Sequence, residues 1–549
     1  MRGRQVFFET LLAHGVERIF GNPGTTESPL LDSLLDYPQL KYIVHLHEGV
    51  AVGAANFYAQ ASGKTAFVNL HVAPGLGNAI GHIYGALKNN SPMVVTAGQQ
   101  DTRLRLRDPV LGHDLAAMAA PVTKWSVQVE RADELGPILQ RAFKIANEAP
   151  KGPVFVALPI NVMEQETDVP PGRPAKLFED NQPSPPALAA LAQHLQAAKS
   201  PAIVAGDDVA RAGAVAMLVD LAEKLGAAVW FEGLRGRNSF PTDHHCYRGT
   251  LGFDAAGVAK QFVGNDLVLM VGGPFFEEVW YAPGSPFPKG CKVLQIEAAP
   301  SRLGYNFAVD VGVLADVGAT LEALDKELPP TLEGAAKRNE LLNAQREADE
   351  AAQKSRVEKA WSRSPTSMAR AMAEIKAGAP ADVIVVDETI TANLDLFKTF
   401  TFQGPADYFS GRGGGIGQGI AGALGVAVAE PKRPILCLSG DGSSMYAIQS
   451  LWTAAHHELP IVFVILANRE YRVLKHNIDA YRARFDVKSN KPYMHMDLSG
   501  PVMGFVDMAK GMGVAGTHVK KADDIKAAVA AAFKSGKPHL LEVEIEGKR

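Results

Sequence analysis

Cysteine is scarce in this chain, with 3 among 549 residues. Cys246, Cys291 and Cys437 are too scattered for a disulfide framework or a zinc knuckle, and a reducing cytoplasm is the simplest setting. An excess of either charge is also missing. A formal net charge of −4 gives neither nucleic acid nor an anionic membrane an electrostatic reason to bind. No run approaches the 18 or so uninterrupted apolar residues that a membrane span needs. The opening stretch, MRGRQVFFETLLAHGVERIF, lacks a signal-peptide core with a cleavage site and reads as an amphipathic helix leading into a strand. No Gly-x-Ser-x-Gly elbow is present, which removes one common nucleophile site.

What the chain has in quantity is continuously apolar short runs. AFVNLHV (66–72), MVVTAG (93–98), PAIVAG (201–206), DLVLMVGG (266–273), VLQIE (293–297), DVIVVDE (382–388), ILCLS (435–439) and IVFVILA (461–467) show no in/out alternation, so both faces of each strand are buried. Alanine-rich helical stretches lie between them, and parallel βαβ units follow. Two segments break the rhythm. Residues 168–188 are Pro-rich and polar, a linker by composition, and residues 332–367 are charged and helical with little apolar stripe, a solvated connector. Cutting there gives three doubly wound α/β domains, expected at 1–167, 188–331 and 366–549. The outer two echo each other. FVNLHVAPGLGNAIGHIYGALKNNSPMVVTAG and ILCLSGDGSSMYAIQSLWTAAHHELPIVFVILAN share a strand, a Gly-x-Gly turn, a helix of about three turns and a Pro-opened second strand.

The second of these echoing stretches poses a chemical question. Asp441 sits between two glycines where one buried run stops, and Asn468 stands where the next one stops. As turn-formers either residue would be unremarkable alone. A dinucleotide fold would use GQGIAG (417–422), a literal Gly-x-Gly-x-x-Gly, but the residues before it, ADYFSGRGG, are too polar and glycine-laden for the strand that fingerprint must follow. A magnesium–diphosphate site accounts for all the features together. Mg²⁺ takes a few protein oxygens and completes its shell with phosphate and water. Asp441 supplies a carboxylate and Asn468 an amide oxygen about one strand spacing away. Gly440 and Gly442 let the main chain approach the anion, and Ser443 and Ser444 are expected to cap a helix whose N–H groups face it. Met445, Ile448, Leu451, Trp452 and Ala455 would give that helix its inward face.

These residues resemble the thiamine diphosphate motif: Gly-Asp-Gly, a gap of this size, and an apolar strand closing on Asn. The family usually ends in Asn-Asn; here Ala467 precedes Asn468, and the metal-binding second Asn is retained. The resemblance runs along nearly the whole chain, through FGNPGTTE, HEGVAVGAANFYAQASGK, NLHVAPGLGNAIG, VTAGQQ, KGPVFVALP and GRGGGIGQG. It is nearest to the benzoylformate decarboxylases, within the decarboxylase and acetolactate synthase group. It implies a thiamine diphosphate-binding fold with pyrimidine-binding, central and diphosphate-binding domains, and thiamine diphosphate and Mg²⁺ as cofactors. It implies a small 2-keto acid as substrate, decarboxylated without oxidation to an aldehyde.

The resemblance also assigns residues. Glu48 would face the pyrimidine ring and activate it, reaching a cofactor held by a neighbouring chain, so that a homodimer is the minimal active unit and a dimer of dimers the expected assembly. Asn78, Thr389, Thr391, Gly414, Ile416, Gly440, Asp441, Gly442, Ser443, Asn468 and Tyr471 would contact cofactor. Asp441, Asn468 and the Glu470 carbonyl would hold the metal. His71, Thr25 and His113 match catalytic or site-lining positions on the substrate side. Two departures stand out. Val279, beside Glu278, takes the place of a second catalytic histidine, and Lys475, His476 and Asn477 lie near where an aromatic would shape a phenyl pocket. The first bears on protonation of the enamine and favours its capture by a second carbonyl, which is carboligation; the second bears on the preference for an aryl keto acid. A lyase of the 2-hydroxyacyl-CoA kind is the related reading on the same intermediate. The short tail after HLLEVEIEGKR leaves little to close over a coenzyme A ester. A cofactor-binding subunit without turnover is the alternative of another class, which the intact Glu48, Asp441 and Asn468 argue against. Zinc at His45, His47 and Glu48 lacks a further ligand, HHELP (456–460) is a zincin helix broken by Pro460, and TDHHC (242–246) reads as a loop.

Overall fold

A computed structural model describes residues 1–177 and 181–547. Residues 178–180, inside the proline-rich linker, lie outside the described residues. Three six-stranded α/β sheets carry the chain. The first holds β1 (Arg18–Gly21), β2 (Lys41–Val44), β3 (Ala66–Leu70), β4 (Met93–Gln99), β5 (Ser126–Gln128) and β6 (Pro153–Pro159), in the order β2-β1-β3-β4-β6-β5, all parallel. The second holds β7 (Pro201–Ala205), β8 (Ala228–Phe231), β9 (Tyr247–Thr250), β10 (Leu267–Val271), β11 (Lys292–Glu297) and β12 (Val311–Leu314), in the order β12-β11-β10-β7-β8-β9. The third holds β13 (Ile384–Glu388), β14 (Tyr408–Ser410), β15 (Ile435–Gly440), β16 (Ile461–Ala467), β17 (Ala515–Val519) and β18 (His539–Glu544), in the order β14-β13-β15-β16-β18-β17. Counted from its own first strand, the third sheet repeats the order of the first. The expected echo is thus a shared topology.

All eight apolar runs named above form strands, and β3, β4, β7, β10, β13 and β16 are buried at every position. Burial on both faces is why they lack alternation. The opening helix is there at Gly3–Ala13, ahead of β1.

By compactness the three sheets group into two units. One comprises Met1–Lys176, Ala360–Thr399 and the chain from Ser410 on; the other comprises Leu177–Lys359 with a returning segment, Phe400–Phe409. The charged connector forms one long helix, Ala335–Ala360. Within the first unit the outer two sheets are joined by a close helix pair, Glu48–Ser62 against Gln418–Ala429. Glycine makes the approach possible. A Cβ on Gly425 would lie 1.8 Å from the Ala54 carbonyl oxygen, and one on Gly422 would lie 2.5 Å from the Phe57 ring. Asn56 Nδ2 donates to Gln418 Oε1 across the pair at 3.2 Å.

One expectation about local structure fails. The stretch after β15 is not a continuous three-turn helix capped by Ser443 and Ser444. A single turn, Asp441–Ser444, begins directly after Gly440 as its N-cap residue, and the helix resumes only at Ser450–His456. The Ser444 hydroxyl donates back to the Gly440 carbonyl at 2.6 Å, which competes with continued helix. Ile448 and Leu451 are buried as expected, whereas Met445 is 40% exposed.

Candidate active site

In a sheet whose strand order reverses, the crevice beyond the carboxyl ends of the strands at the reversal is where ligands bind. In the third sheet that point lies between β13 and β15. Glu388 pairs with Ser439, and Gly440 pairs with Leu466, so Thr389, Asp441 and Asn468 leave three neighbouring strands at nearly one level. One cleft is lined by Thr389, Thr391, Gly440, Asp441, Gly442, Ser443, Asn468, Glu470 and Tyr471. It thus gathers most of the residues that the sequence assigned to cofactor and metal.

Asp441 is buried, and two main-chain amides hold it: Gly442 N donates to Oδ1 at 2.8 Å and Arg469 N donates to Oδ2 at 2.7 Å. Burial holds its carboxyl above the usual carboxylate range, against the pull of those two amides. Each oxygen keeps a lone pair for a cation, which would relieve that penalty. The Asn468 amide oxygen accepts from Glu470 N at 3.0 Å. The Glu470 side chain is tied back by Arg472 and Lys475, which leaves its main chain as the part to consider as a ligand. The buried Thr389 hydroxyl has no hydrogen-bond partner. A Cβ on Gly440 would meet nothing closer than Ser443 Oγ at 3.8 Å, whereas one on Gly442 would lie 2.5 Å from the Tyr471 ring. Oxygen donors around a bare glycine edge fit a hard dication with a diphosphate and do not fit a thiophilic metal.

Gly414 and Ile416 lie outside that cleft's lining, in the loop before the Gln418–Ala429 helix; Gly414 is exposed, with φ 71°. The loop is tethered to the end of β13 by a residue that sequence reasoning missed. Glu388 Oε1 accepts from Gly417 N at 2.8 Å and Gln418 N at 3.0 Å, and burial pushes the Glu388 carboxyl up to about 8. Its position, as the last residue of an apolar run, was the only signal.

The first sheet reverses between β1 and β3, and there a second cluster stands. His71 directly follows β3 and precedes the Val72–Lys88 helix. Its Nδ1 lies 2.9 Å from Glu27 Oε2, and Glu27 is fully enclosed, accepting also from Gly24 N, Thr26 Oγ1 and Gly98 N. Glu27 was not singled out from sequence, although the Thr-Thr-Glu of FGNPGTTE places an acid just after a turn. The hydroxyl beside His71 is that of Thr26, at 3.4 Å, whereas Thr25 is exposed. The same Val72–Lys88 helix meets Glu48. Asn78 Nδ2 donates to Glu48 Oε2 at 3.0 Å, and a Cβ on Gly75 would lie 2.9 Å from Glu48 Oε1. Glu48 itself opens the Glu48–Ser62 helix at its positive end, where a carboxylate is favoured. His113 lies apart, exposed, on a cleft of about 460 Å³ that also involves Gln99, Arg105, Asp108, Asp114, Gln128 and Glu130.

Backbone strain marks the same strand ends. Val72 and Ile390 are β-branched yet have φ of 35° and 52°, and Arg469 has φ of 59°. Such conformations cost energy and concentrate at functional sites. They follow β3, β13 and β16 in turn.

Comparison with known proteins shows the family. Three family models match: "Thiamine pyrophosphate enzyme, N-terminal TPP binding domain" over residues 1–118, "central domain" over 188–324 and "C-terminal TPP binding domain" over 391–543. A benzoylformate decarboxylase of Pseudomonas aeruginosa is 33% identical over 543 residues, covering 98% of this chain and 97% of the relative. A putative acetolactate synthase large subunit of Mycobacterium tuberculosis is 30% identical over 561 residues, covering 99% of each. Among solved structures, a thiamine diphosphate-dependent 4-hydroxybenzoylformate decarboxylase of Rhodococcus jostii superposes with a TM-score of 0.86 at 29% identity, over 100% of both chains.

Proposed function

The chain belongs to the thiamine pyrophosphate enzyme family, and on that premise we propose that it decarboxylates a 2-keto acid to an aldehyde with thiamine diphosphate and Mg²⁺. The observation that carries this reading is the buried Asp441 carboxylate, held by the Gly442 and Arg469 amides, one strand from the Asn468 carboxamide. When bound, the cofactor supplies the carbon nucleophile and the electron sink for the departing carboxylate.

The chain's own groups then have distinct tasks. Asp441, Asn468 and the Glu470 carbonyl hold the dication, with Thr389, Thr391, Gly440, Gly442, Ser443 and Tyr471 around the diphosphate. Gly414 and Ile416 bear on the ring system. Glu48 would face the pyrimidine nitrogen, with Asn78 fixing one carboxylate oxygen and the bare Gly75 leaving room at the other. His71 donates its Nδ1 proton to Glu27, which directs Nε2 outward for proton transfer. Thr25 and His113 belong to this proposal on the family resemblance alone, since Thr26 rather than the exposed Thr25 stands beside His71 and His113 lies apart.

Glu48 is not among the residues lining the Asp441 cleft of its own chain. This supports a working unit of two chains, each lending Glu48 to the other's cofactor; a tetramer built from two such pairs is proposed on the family resemblance alone. Among the described residues no helix is long and apolar enough to cross a membrane. A cytoplasmic setting goes with the three free cysteines, and nothing in the charge calls for nucleic acid.

A second reading, carboligation, is favoured by one feature. Val279 is 57% exposed where the decarboxylase pattern has a second catalytic histidine, so protonation of the product carbon has one candidate fewer. Incubating the protein with thiamine diphosphate, Mg²⁺ and aryl and alkyl 2-keto acids, with and without an acceptor aldehyde, separates the two. Free aldehyde accumulating without acceptor supports decarboxylation. CO₂ release that requires an acceptor supports ligation, and no CO₂ from any keto acid refutes both.

A further inference from the structure

The turn that leads into β9 carries a cluster that the proposed reaction does not use. His244, His245 and Cys246 are consecutive, yet each brings a donor atom within 4.8 Å of the other two. In a strand, consecutive side chains point to opposite faces. Here His244 N donates to Pro241 O at 3.3 Å and Tyr247 N to His244 O at 3.0 Å, so the chain turns and gathers all three on one side. The two imidazole rings stand 4.4 Å apart.

Outer contacts orient each donor. His244 Nε2 lies 3.0 Å from Glu223 Oε1, which puts the ring proton there, and the one ring lone pair, on Nδ1, accepts from Cys246 N at 3.2 Å, a bond that an ion at Nδ1 would displace. A carboxylate behind an imidazole is the usual support of a metal-binding histidine. His245 Nε2 lies 3.1 Å from Asn339 Oδ1, and the Cys246 thiol donates to the same oxygen at 3.7 Å. Asn339 is fixed in turn, its Nδ2 donating to Glu223 O at 2.8 Å. Two imidazoles, a thiol and an amide oxygen therefore converge.

We propose that His244, His245 and Cys246, with Asn339 Oδ1 as fourth donor, bind one Zn²⁺-class ion that clips the 241–246 turn to the Ala335–Ala360 helix. The donor set is mixed N, S and O, which suits zinc and excludes magnesium. Bonds of about 2.0–2.3 Å set donor separations near 3.5 Å, so the side chains must close by about 1 Å. On binding, the Cys246 S–H bond breaks, the proton goes to solvent, and the thiolate forms the metal–sulfur bond. The helix has reason to need a clip. It is charged along its length, and its other ties to this turn are polar, such as Arg346 Nη1 donating to Thr242 O at 2.8 Å.

The test is a Co²⁺ titration of the chelator-stripped full-length chain without thiamine diphosphate, followed by displacement with Zn²⁺. The expected result is one equivalent bound with a sulfur-to-cobalt charge-transfer absorption, which Zn²⁺ removes and Cys246→Ser abolishes. His245→Ala should weaken Zn²⁺ by at least about tenfold. The oxygen donors around Asp441 cannot give that absorption, so binding there is not confused with binding here. The proposal is overturned if the unmodified protein shows no charge-transfer band. It is equally overturned if the band survives Cys246→Ser, which would place the ion on another cysteine.

Discussion

At the end of β15 the chain places Gly440, the buried Asp441 and Gly442; at the end of β3, the strand in the same position of a sheet with the same order, it places His71 and the strained Val72. Asp441 accepts from the main-chain amides of Gly442 and Arg469, whereas His71 is paired with an enclosed carboxylate. One topology, used twice, ends at one crevice in a buried carboxylate one strand from a carboxamide, and at the other in an imidazole paired with an enclosed carboxylate. The central sheet shows a third outcome. At its own reversal, between β7 and β10, a Cβ on Gly206 would lie 2.0 Å from Gly272 O, so the two strand ends touch. Asp208 and Glu297 there are paired with Arg302, and Asp207 accepts from Gly236 N and Arg237 N. A crevice at a strand reversal is thus an opportunity, and the side chains decide whether it stays open.

The contrast between the outer sheets can be broken from either side. Glu48→Gln should lower kcat by about 10²–10⁴ while cofactor retention changes little, measured by turnover and by thiamine diphosphate titration. Asp441→Ala should act in the opposite sense, weakening cofactor retention by about 10²-fold, with turnover lost through emptiness of the site. Glu27→Gln should lower kcat about 10–100-fold with the cofactor still bound, and should add little to the loss in His71→Ala, because the two act as one unit. Gly425→Ala strikes the helix pair that joins the sheets and should cost about 1–3 kcal/mol in thermal or urea unfolding, without selecting binding over chemistry.

The smallest effect sharpens the comparison through pH. Burial lowers His45 to about 3 and His82 to about 4 in the first sheet's half, whereas Glu388 in the third rises to about 8. The unfolded chain protonates those histidines near 6.5, so their contribution is intact above that pH and is lost as pH falls toward 4. Glu388 retains a proton that the unfolded chain has given up, so stability declines as pH rises from 4.5 to about 8. Thermal unfolding against pH should show Glu388→Gln flattening the alkaline decline, and His82→Gln flattening the acid one.

Strands were legible because unbroken apolar runs have few other uses, and the cofactor cleft was legible because glycine, aspartate and asparagine at strand ends are hard to explain separately. What escaped was whatever depends on a partner distant in sequence. Glu27 is a surface-like residue until His71 and Gly98 close around it. Glu388 is the end of a strand until the 411–417 loop returns to it. Val72 and Ile390 carry side chains that favour extended structure, so their left-handed backbone was invisible. The break in the helix after Asp441 was also hidden, since Ser444 is an ordinary residue until its hydroxyl finds Gly440 O.

Whether binding and chemistry are divided between chains is tested most directly by co-expressing Glu48→Gln and Asp441→Ala. Each variant alone should be inactive. A random mixture of the two in a symmetric dimer leaves one intact site in each mixed pair, and activity should return to about a quarter of the unmodified enzyme. A mixture that pairs freely and stays inactive would mean that both residues must come from one chain, which contradicts the account.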